Sequence, residues 1–412
     1  MSEVATGQLG TRELLVMISA IMALMAVGTD LLLPTFDDMR REFGMAPNSN
    51  APSQTITVFF LGLALPQIIY GPFADRFGRK PTLYTGLSLY VLGALGAALA
   101  PTFQLMLVSR FVWGLGAAGA RVVATAIVRD NFVDEAMAKA MSKIMAVFIL
   151  VPVFAPALGA GIIAVLPWRG VFWVCIAWTI GIFLWTLRLP ETLKAEHVRP
   201  LTLTNTLRGI RQVGRTPVTV GYTVASMFLQ GVFTTYLASS ELIIGDILGR
   251  GAQFPFVFGS VAILFGIASL INGRIVGIVG LSNVINRASI VLVVMSMVLL
   301  AVALGSGGKP NFWIYMPLLG LTFSTFMFLV PNLNTAALGP VGEIAGTASA
   351  VTGAARIASG AIIGTILSSF ITVSIIPFAV GMAALCSLST LTVAVVRHRT
   401  ANRLVVGAAL TS

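Results

Sequence analysis

Residues 71–81 read Gly71-Pro72-Phe73-Ala74-Asp75-Arg76-Phe77-Gly78-Arg79-Lys80-Pro81, a short charged turn between two long apolar runs. The run before it extends from Ser53 to Phe73 and the run after it from Thr82 to Leu99. About 20 apolar residues are enough to cross the hydrocarbon core of a bilayer as a helix. The stretch therefore predicts two transmembrane helices joined by a basic turn at one membrane surface.

Apolar runs of this length continue along the whole chain of 412 residues, of which 57% are hydrophobic and only 10% charged. A soluble domain carries about 25% charged residues, so a water-soluble fold, a disordered chain and a single-span receptor are excluded. The runs predict an all-α integral membrane protein with twelve transmembrane helices. The longest polar stretch divides it into an N-terminal six-helix bundle (1–189), a cytoplasmic linker (190–217) and a C-terminal six-helix bundle (218–412).

The formal net charge of +11 is explained by topology. In the predicted arrangement most Lys and Arg residues fall in inner segments, and the outer loops hold only Arg40, Arg41, Arg169, Arg250 and Lys309. The positive-inside rule then puts both termini in the cytoplasm. We therefore expect a multi-pass monomer in the plasma or inner membrane, in contact with the lipid bilayer and not with nucleic acid.

Two further stretches lie inside predicted helices. The fourth run contains Leu107-Val-Ser-Arg110-Phe-Val-Trp113-Gly114-Leu-Gly116, and the fifth contains Val151-Pro152-Val-Phe-Ala155-Pro156-Ala-Leu-Gly159-Ala160-Gly161. Proline removes a backbone donor, and glycines permit bending and close packing of the fifth helix, which we expect to pack against a partner in the other half.

The turn at 71–81 resembles the signature loop between helices 2 and 3 of the major facilitator superfamily. Arg110 lies in a stretch similar to the family's intramembrane arginine motif, and the fifth run is similar to the proline-glycine signature of its exporters. With Asp30-Leu-Leu-Leu-Pro34, Arg129-Asp130, Pro190-Glu191-Thr192 and Pro331-Asn332, the pattern resembles the Bcr/CflA (bicyclomycin and chloramphenicol resistance) branch of drug:proton antiporters.

The resemblance implies that the 71–81 turn latches the two halves on the cytoplasmic side. On physical grounds Gly71 would permit close helix approach, and Asp75 would cap the N-terminus of a neighbouring helix. The basic side chains of the turn would lie at the inner headgroups. The residues expected to gate the conformational change are Gly71, Asp75, Arg76, Gly78, Arg79, Pro156 and Gly159.

Asp30 is the one carboxylate that falls clearly within a predicted span, which makes it a candidate functional group. At 1.5 Å per residue, Asp30 and Arg110 are predicted at similar depth in the outer half. Burial favours a neutral acid and a nearby guanidinium favours the carboxylate, so the pair could exchange a proton as water reaches it. The resemblance implies that Asp30 responds to proton and substrate beside Arg110. The alternative is a static ion pair that orders the bundle.

Arg356 is predicted about ten residues into the eleventh helix, near the bilayer centre, and Arg121 near the inner third of the fourth, where it could snorkel toward the cytoplasm. With one acid among these cations, the cavity would suit neutral, zwitterionic or anionic compounds. Asp30 and Arg356 are candidate substrate contacts. Others, which could equally serve helix packing or lie at the rim, are Gln230, Tyr236, Phe59, Trp113, Asn332 and Glu241.

These features predict a proton-coupled secondary transporter that exports small amphipathic drugs by alternating access. The alternative is a symporter or exchanger of a nutrient or organic anion on the same fold, which Arg356 favours and the fifth-helix signature opposes. A membrane enzyme would need a metal-binding acidic cluster or a nucleophile with its base. Asp37-Asp38 has no second acidic cluster, and His197 and His398 lie in inner polar segments. We therefore expect neither catalysis, nor a metal, nor a cofactor.

Overall fold

The computed structural model describes residues 9–193 and 203–411, and all regular secondary structure within them is helical. The helices of the first half follow one another with short connections. They are α1 (Thr11–Asp30), α2 (Phe36–Glu42), α3 (Gln54–Ala64), α4 (Gln67–Phe77), α5 (Arg79–Leu99), α6 (Phe103–Asn131), α7 (Asp134–Val165) and α8 (Gly170–Thr186).

The second half begins with a short helix and continues with longer ones. They are α9 (Leu203–Arg215), α10 (Pro217–Glu241), α11 (Phe254–Val279), α12 (Leu281–Gly305), α13 (Phe312–Leu338), α14 (Ala345–Ser368) and α15 (Ile376–Thr411).

The chain divides into two compact units. Unit 1 contains the described part of Met1–Thr202 together with Arg250–Ile263, and unit 2 contains Leu203–Gly249 with the described residues from Leu264 onward. Helix α9 belongs to unit 2, where Val213 packs with Val341 and Ala348. The segment predicted as a linker thus includes a helix that packs on unit 2.

Within the described residues, nine helical segments are long and apolar enough to cross a membrane. Helices α3 and α4 form a tenth if they are one span bent by 43°. The bend follows from Pro66, which the structure puts between the two helices. Helix α8, with 17 residues, is apolar but shorter than these nine segments, and Phe312–Ser368 forms a single 57-residue apolar segment that contains both α13 and α14.

Glycines set how closely the helices of unit 1 approach α6. A Cβ added at Gly114 would overlap the Phe59 carbonyl oxygen of α3, and one added at Gly86 in α5 would lie 2.9 Å from the backbone nitrogen of Ala120. Such distances are shorter than real Cβ contacts allow. Close backbone approach at small residues is the usual means by which membrane helices associate, so these glycines fix α3, α5 and α6 as one closely packed group.

Candidate functional site

Asp30 is the last residue of α1 and its side chain is buried, with 4% of its surface exposed. The helix stops there because Pro34 follows in a short 3-10 turn, Leu33–Thr35. The Thr29 hydroxyl donates a hydrogen bond of 2.9 Å to Asp30 Oδ1. The same hydroxyl lies 3.0 Å from the Ala26 carbonyl oxygen, so it has an alternative acceptor when the carboxyl carries a proton.

Arg110 is completely buried in α6 and joins three helices. Its Nη1 donates to the Gly28 carbonyl of α1 at 2.8 Å, and its Nε donates to the Thr55 carbonyl of α3 at 3.1 Å. The guanidinium carbon lies 4.6 Å from the ring centroids of both Phe59 and Trp113. Carbonyl oxygens and aromatic faces, rather than a carboxylate, therefore compensate the charge of Arg110.

Arg110 approaches Asp30 through the backbone of α1 and not through the Asp30 carboxylate. No ion pair joins Asp30 to a cation within the described residues, and Arg110 instead bonds the backbone two residues before Asp30. Phe59 and Trp113 are enclosed, with 0% and 1% exposure, and Trp113 also contacts Tyr90 and Phe172 edge to face. We assign both rings to the packing around Arg110.

Helix α7 approaches α1 on the other side of Asp30. A Cβ at Gly159 would overlap the carbonyl oxygen of Leu31, the residue after Asp30, and would lie 3.4 Å from the Cδ of Pro34. Pro156 lies inside α7 one turn earlier. Gly159 therefore packs against α1 in the same half of the chain, and the residues flanking Asp30 are held by α6 and α7. The expected partner in the other half meets the same stretch earlier, where a Cβ at Gly259 of α11 would lie 2.9 Å from the Val153 carbonyl oxygen.

Three distant stretches of the sequence meet at Arg79 and form a cluster of Asp75, Arg79, Asp130 and Glu191, which we call the Arg79 cluster. Arg79 forms ion pairs with Asp75 at 2.6 Å and with Asp130 at 2.8 Å. The Glu191 carboxylate accepts hydrogen bonds from the backbone N–H groups of Arg79 and Lys80, at 2.9 and 3.0 Å. Glu191 thus caps the N-terminus of α5, where a negative charge is stabilised.

Asp75 and Gly71, two of the residues in this turn that were predicted to gate, make contacts that differ from those expected. Among the residues that the structure describes, Asp75 pairs with Arg79, and Glu191 rather than Asp75 caps a helix N-terminus here. A Cβ at Gly71 would meet no atom within 4 Å, so close approach does not require glycine there. Gly78 has φ +105°, a conformation that favours glycine, and a Cβ there would lie 2.7 Å from a Glu191 oxygen. Arg76 is exposed.

Replacing Glu191 by Gln is expected to lower the melting temperature of the solubilised protein and to slow transport, because the amide oxygen alone remains to accept from the α5 N-terminus. The exposed carboxylate makes two charge-assisted bonds to the helix N-terminus, and a cap of this kind contributes about 0.5–2 kcal/mol. Thermal unfolding in detergent and transport rate are the measurements. Glu343→Gln, which alters an exposed carboxylate in the 3-10 segment Gly339–Ile344, is the control. Equal behaviour of the two variants would contradict the capping role.

In unit 2, Arg356 of α14 and Gln230 of α10 contact each other through the guanidinium Nη1 and the amide oxygen. The Gln230 amide nitrogen lies 3.4 Å from the Thr234 hydroxyl. Two of the predicted substrate contacts are thus brought together, and a cation within an apolar span is oriented by a neutral amide. The Arg356 side chain is half-buried.

Glu241 lies inside a span, not at its rim. Helix α10 continues beyond Glu241 as a π-helical turn, Leu242–Ile247, and the carboxyl side chain is 7% exposed. The span is Pro217–Ile247, so Asp30 is not the only carboxylate in a membrane segment. The apolar residues Leu242–Ile244 directly after Glu241 were the sequence signal for this extension.

Two other predicted contacts of unit 2 serve helix packing. The Asn332 amide donates to Asn272 Oδ1 at 2.9 Å and to the Phe328 carbonyl at 2.8 Å, joining α13 to α11. Tyr236 is buried with its ring 4.7 Å from that of Phe323. These contacts correspond to the interhelical alternative considered for them.

Comparisons with known proteins agree with this arrangement. The chain is 30% identical over 351 residues to a bicyclomycin resistance protein homolog of Haemophilus influenzae, covering 83% of this chain and 85% of that one. It is 25% identical over 335 residues to the multidrug resistance protein MdtL of Escherichia fergusonii, covering 81% and 83%. The fold matches the crystal structure of a D-xylose-proton symporter with TM-score 0.75 and 14% identity, over 92% of this chain and 96% of that one.

The sequence model of the Major Facilitator Superfamily matches residues 17–365, which is most of the chain. Members of this family are multi-pass membrane proteins that carry small-molecule substrates. The buried charged groups, the apolar helices and the matched relatives all point to transport and not to catalysis. The chain belongs to the Major Facilitator Superfamily and is a membrane transporter.

Proposed function

We propose that this transporter exports small amphipathic drugs, of the multidrug or phenicol type, in exchange for protons by alternating access. The observation that carries the proposal is the burial of Asp30 without a cation within 4 Å among the described residues. An ionised carboxylate in such surroundings is costly. A group of this kind is suited to hold a proton when enclosed and to release it when water or a substrate reaches it.

Drugs are supported as the substrate class by the names of the relatives. Both the bicyclomycin resistance homolog and MdtL are named for resistance, and each aligns over more than four fifths of this chain. The proline and glycine residues of α7 support export over uptake, since they form the stretch that resembles the exporter signature. Direction and coupling are the parts of the proposal that experiment must test.

We also propose twelve crossings with both termini in the cytoplasm of the plasma or inner membrane. Counting the bent pair α3–α4 as one span, adding α8, and dividing Phe312–Ser368 into α13 and α14 gives this number. The division is supported by the 3-10 segment Gly339–Ile344, where Val341 has non-helical backbone angles. Residues 1–189 and 218–412 would then be the two bundles of a monomer.

In this proposal Asp30 exchanges the proton and Arg110 acts on it through the backbone of α1 at Gly28. Thr29 offers its hydroxyl to the carboxylate or to the Ala26 carbonyl, according to the protonation state. Arg356, oriented by Gln230, contacts substrate from unit 2. The Arg79 cluster and the contact of Gly159 with Leu31 take part in gating.

The experiment is ligand-induced proton movement on purified wild-type protein. Chloramphenicol is added to the protein in weakly buffered detergent solution, and pH is followed with an indicator dye across a range of starting pH. We expect acidification of up to about one proton per Asp30, because a drug that replaces the proton releases it. Detergent micelles without protein give the background. The absence of acidification at every pH would contradict the antiport proposal.

The second candidate is uptake of an organic anion together with protons, which the Arg356–Gln230 pair in unit 2 favours. The same assay separates the two candidates by sign. A symporter binds substrate and proton together, so an anionic probe would make the solution more alkaline. Acidification on drug addition favours the exporter, and alkalinisation with an organic anion favours the symporter.

A further inference from the structure

Arg121 is an intramembrane cation that, among the described residues, lacks the oxygen acceptors found at other buried arginines of unit 1. It lies in α6 ten residues before the end of the Phe103–Asn131 span, which is about 15 Å along the helix axis. Its side chain is half-buried, and its polar contact within the described residues is a 3.7 Å approach of Nη1 to the Met25 sulfur. A thioether is a weak acceptor, whereas a guanidinium has five N–H groups to satisfy.

Other partly or fully buried arginines of unit 1 bind oxygen acceptors. Arg79 binds two carboxylates, and Arg110 binds two carbonyls between two rings, although its Nη2 has no hydrogen-bond partner among the described residues. Arg169 binds Glu42 at 2.6 Å and the Ala100 carbonyl at 2.8 Å. Arg121 differs from these three in having sulfur where they have oxygen.

The Arg121 side chain points toward the middle of the span. Side chains of a helix lean toward its N-terminus, and Met25 lies 14 residues into α1, about 21 Å from Thr11 along the axis. The guanidinium therefore does not snorkel toward the nearer helix end, as the sequence suggested. Arg110 and Arg121 are also three helical turns apart on one face of α6, the face that contacts α1 at Gly28 and Met25.

A guanidinium at this depth costs several kcal/mol unless it meets water or an opposite charge. Asp30, the acid of this region, has Thr29 as its hydrogen-bond partner. A planar anionic oxygen group on a ligand would supply what Arg121 lacks, because carboxylates bind guanidinium groups in a bidentate manner. Cationic compounds would be repelled at the same position.

We infer that Arg121 is a substrate-recognition residue of unit 1 that binds a carboxylate, or a comparable anionic oxygen group, of the transported compound. The inference rests on the proposed transport function and defines its substrate class. Met25 would line the site beside it, since its flexible thioether side chain adapts to ligands of varied shape.

The test compares two probes that share a scaffold and differ in charge, chloramphenicol and its hemisuccinate. Binding is measured by calorimetry in phosphatidylcholine nanodiscs, where no anionic headgroup competes. We expect wild type to bind the hemisuccinate more tightly. Arg121→Gln should weaken that binding about tenfold or more, since a charge-assisted bond contributes about 1.5–3 kcal/mol, while changing chloramphenicol binding less than about twofold.

Three variants complete the design. Arg121→Lys keeps the charge and should retain part of the preference, and Arg129→Gln, at the exposed end of α6, should retain all of it. Arg356→Gln tests the rival cation of unit 2. Equal affinity of wild type for the two probes, equal weakening of both probes by Arg121→Gln, or loss of the preference only in Arg356→Gln would each overturn the inference.

A lipid phosphate is the other source of the same chemistry. Repeating the measurement with phosphatidylglycerol in the nanodiscs distinguishes a lipid site from a substrate site, because a substrate site keeps its preference for the hemisuccinate over chloramphenicol. Loss of the preference there would overturn assignment to substrate. These equilibria report no proton movement, so a failure of proton coupling leaves the Arg121 result intact and the two proposals can fail separately.

Discussion

Asp30→Asn is expected to abolish drug-dependent proton movement and to leave the amount of folded protein in the membrane unchanged. The amide is close in size to the carboxyl, and its oxygen can still accept the 2.9 Å hydrogen bond from Thr29. The side chain can no longer gain or lose a proton near neutral pH. Since it is buried without a cationic partner among the described residues, no ion pair is broken by the change. Proteoliposomes with an imposed pH gradient and an internal dye give the measurement.

The matched control is Asp38→Asn. Asp38 lies in the same apolar segment, on α2, with its side chain 26% exposed and paired with Arg41. This variant is expected to transport like wild type, because exposed ion pairs contribute little. Proton release by Asp30→Asn at the wild-type level would remove Asp30 from the exchange. Loss of transport in both variants would mean that any acid in this segment is required, which also contradicts a specific role.

Arg110→Gln is expected to cause the largest loss of stability among the variants considered. It removes the bond to Gly28, the bond to Thr55 and the stacking between Phe59 and Trp113, and a shorter neutral amide cannot bridge α1, α3 and α6. Each charge-assisted bond contributes about 1.5–3 kcal/mol and each ring contact about 0.5–2 kcal/mol. We expect a fall in melting temperature of about 5 °C or more, measured by tryptophan fluorescence in detergent.

Two further variants serve as controls for Arg110→Gln. Arg110→Lys keeps the charge without the forked geometry, so it should fall between wild type and Arg110→Gln. Arg76→Gln, which alters an exposed arginine, should melt like wild type. A melting temperature of Arg110→Gln within about 1 °C of wild type would reject a bridging role. The interpretation as an ionic partner of Asp30 would then be favoured.

The helical architecture, the family and the special position of residues 71–81 followed from the sequence because apolar runs and a charged turn are local patterns. The partners within the Arg79 cluster could not follow from it. Glu191 caps α5 from a position 112 residues away, and only the folded chain shows that it, rather than Asp75, reaches the helix end. The count of twelve spans stays a prediction because α13 and α14 form one continuous apolar segment.

Local sequence patterns also could not predict which individual side chains are buried or in which direction they lean. Trp113 could contact a drug or the core, and its neighbours along the chain do not distinguish these. In the folded chain its ring is enclosed by the rings of Phe59, Tyr90 and Phe172, which come from three other helices. The sequence left open whether Glu241 lies at the rim or within the span, and the folded chain shows that the helix continues past it. Arg121 was expected to bend toward the cytoplasm, and the opposite lean became apparent only from its contact with Met25.

The glycine contacts between α6 and its neighbours restrict how this half of the protein can change shape. At Gly62, Gly86 and Gly114 the backbones approach so closely that no side chain fits between them. We therefore expect any motion during a transport cycle to carry α3, α5 and α6 as a single body. Deformation is left to segments that proline interrupts, such as the bend before α4 and the turn after Asp30.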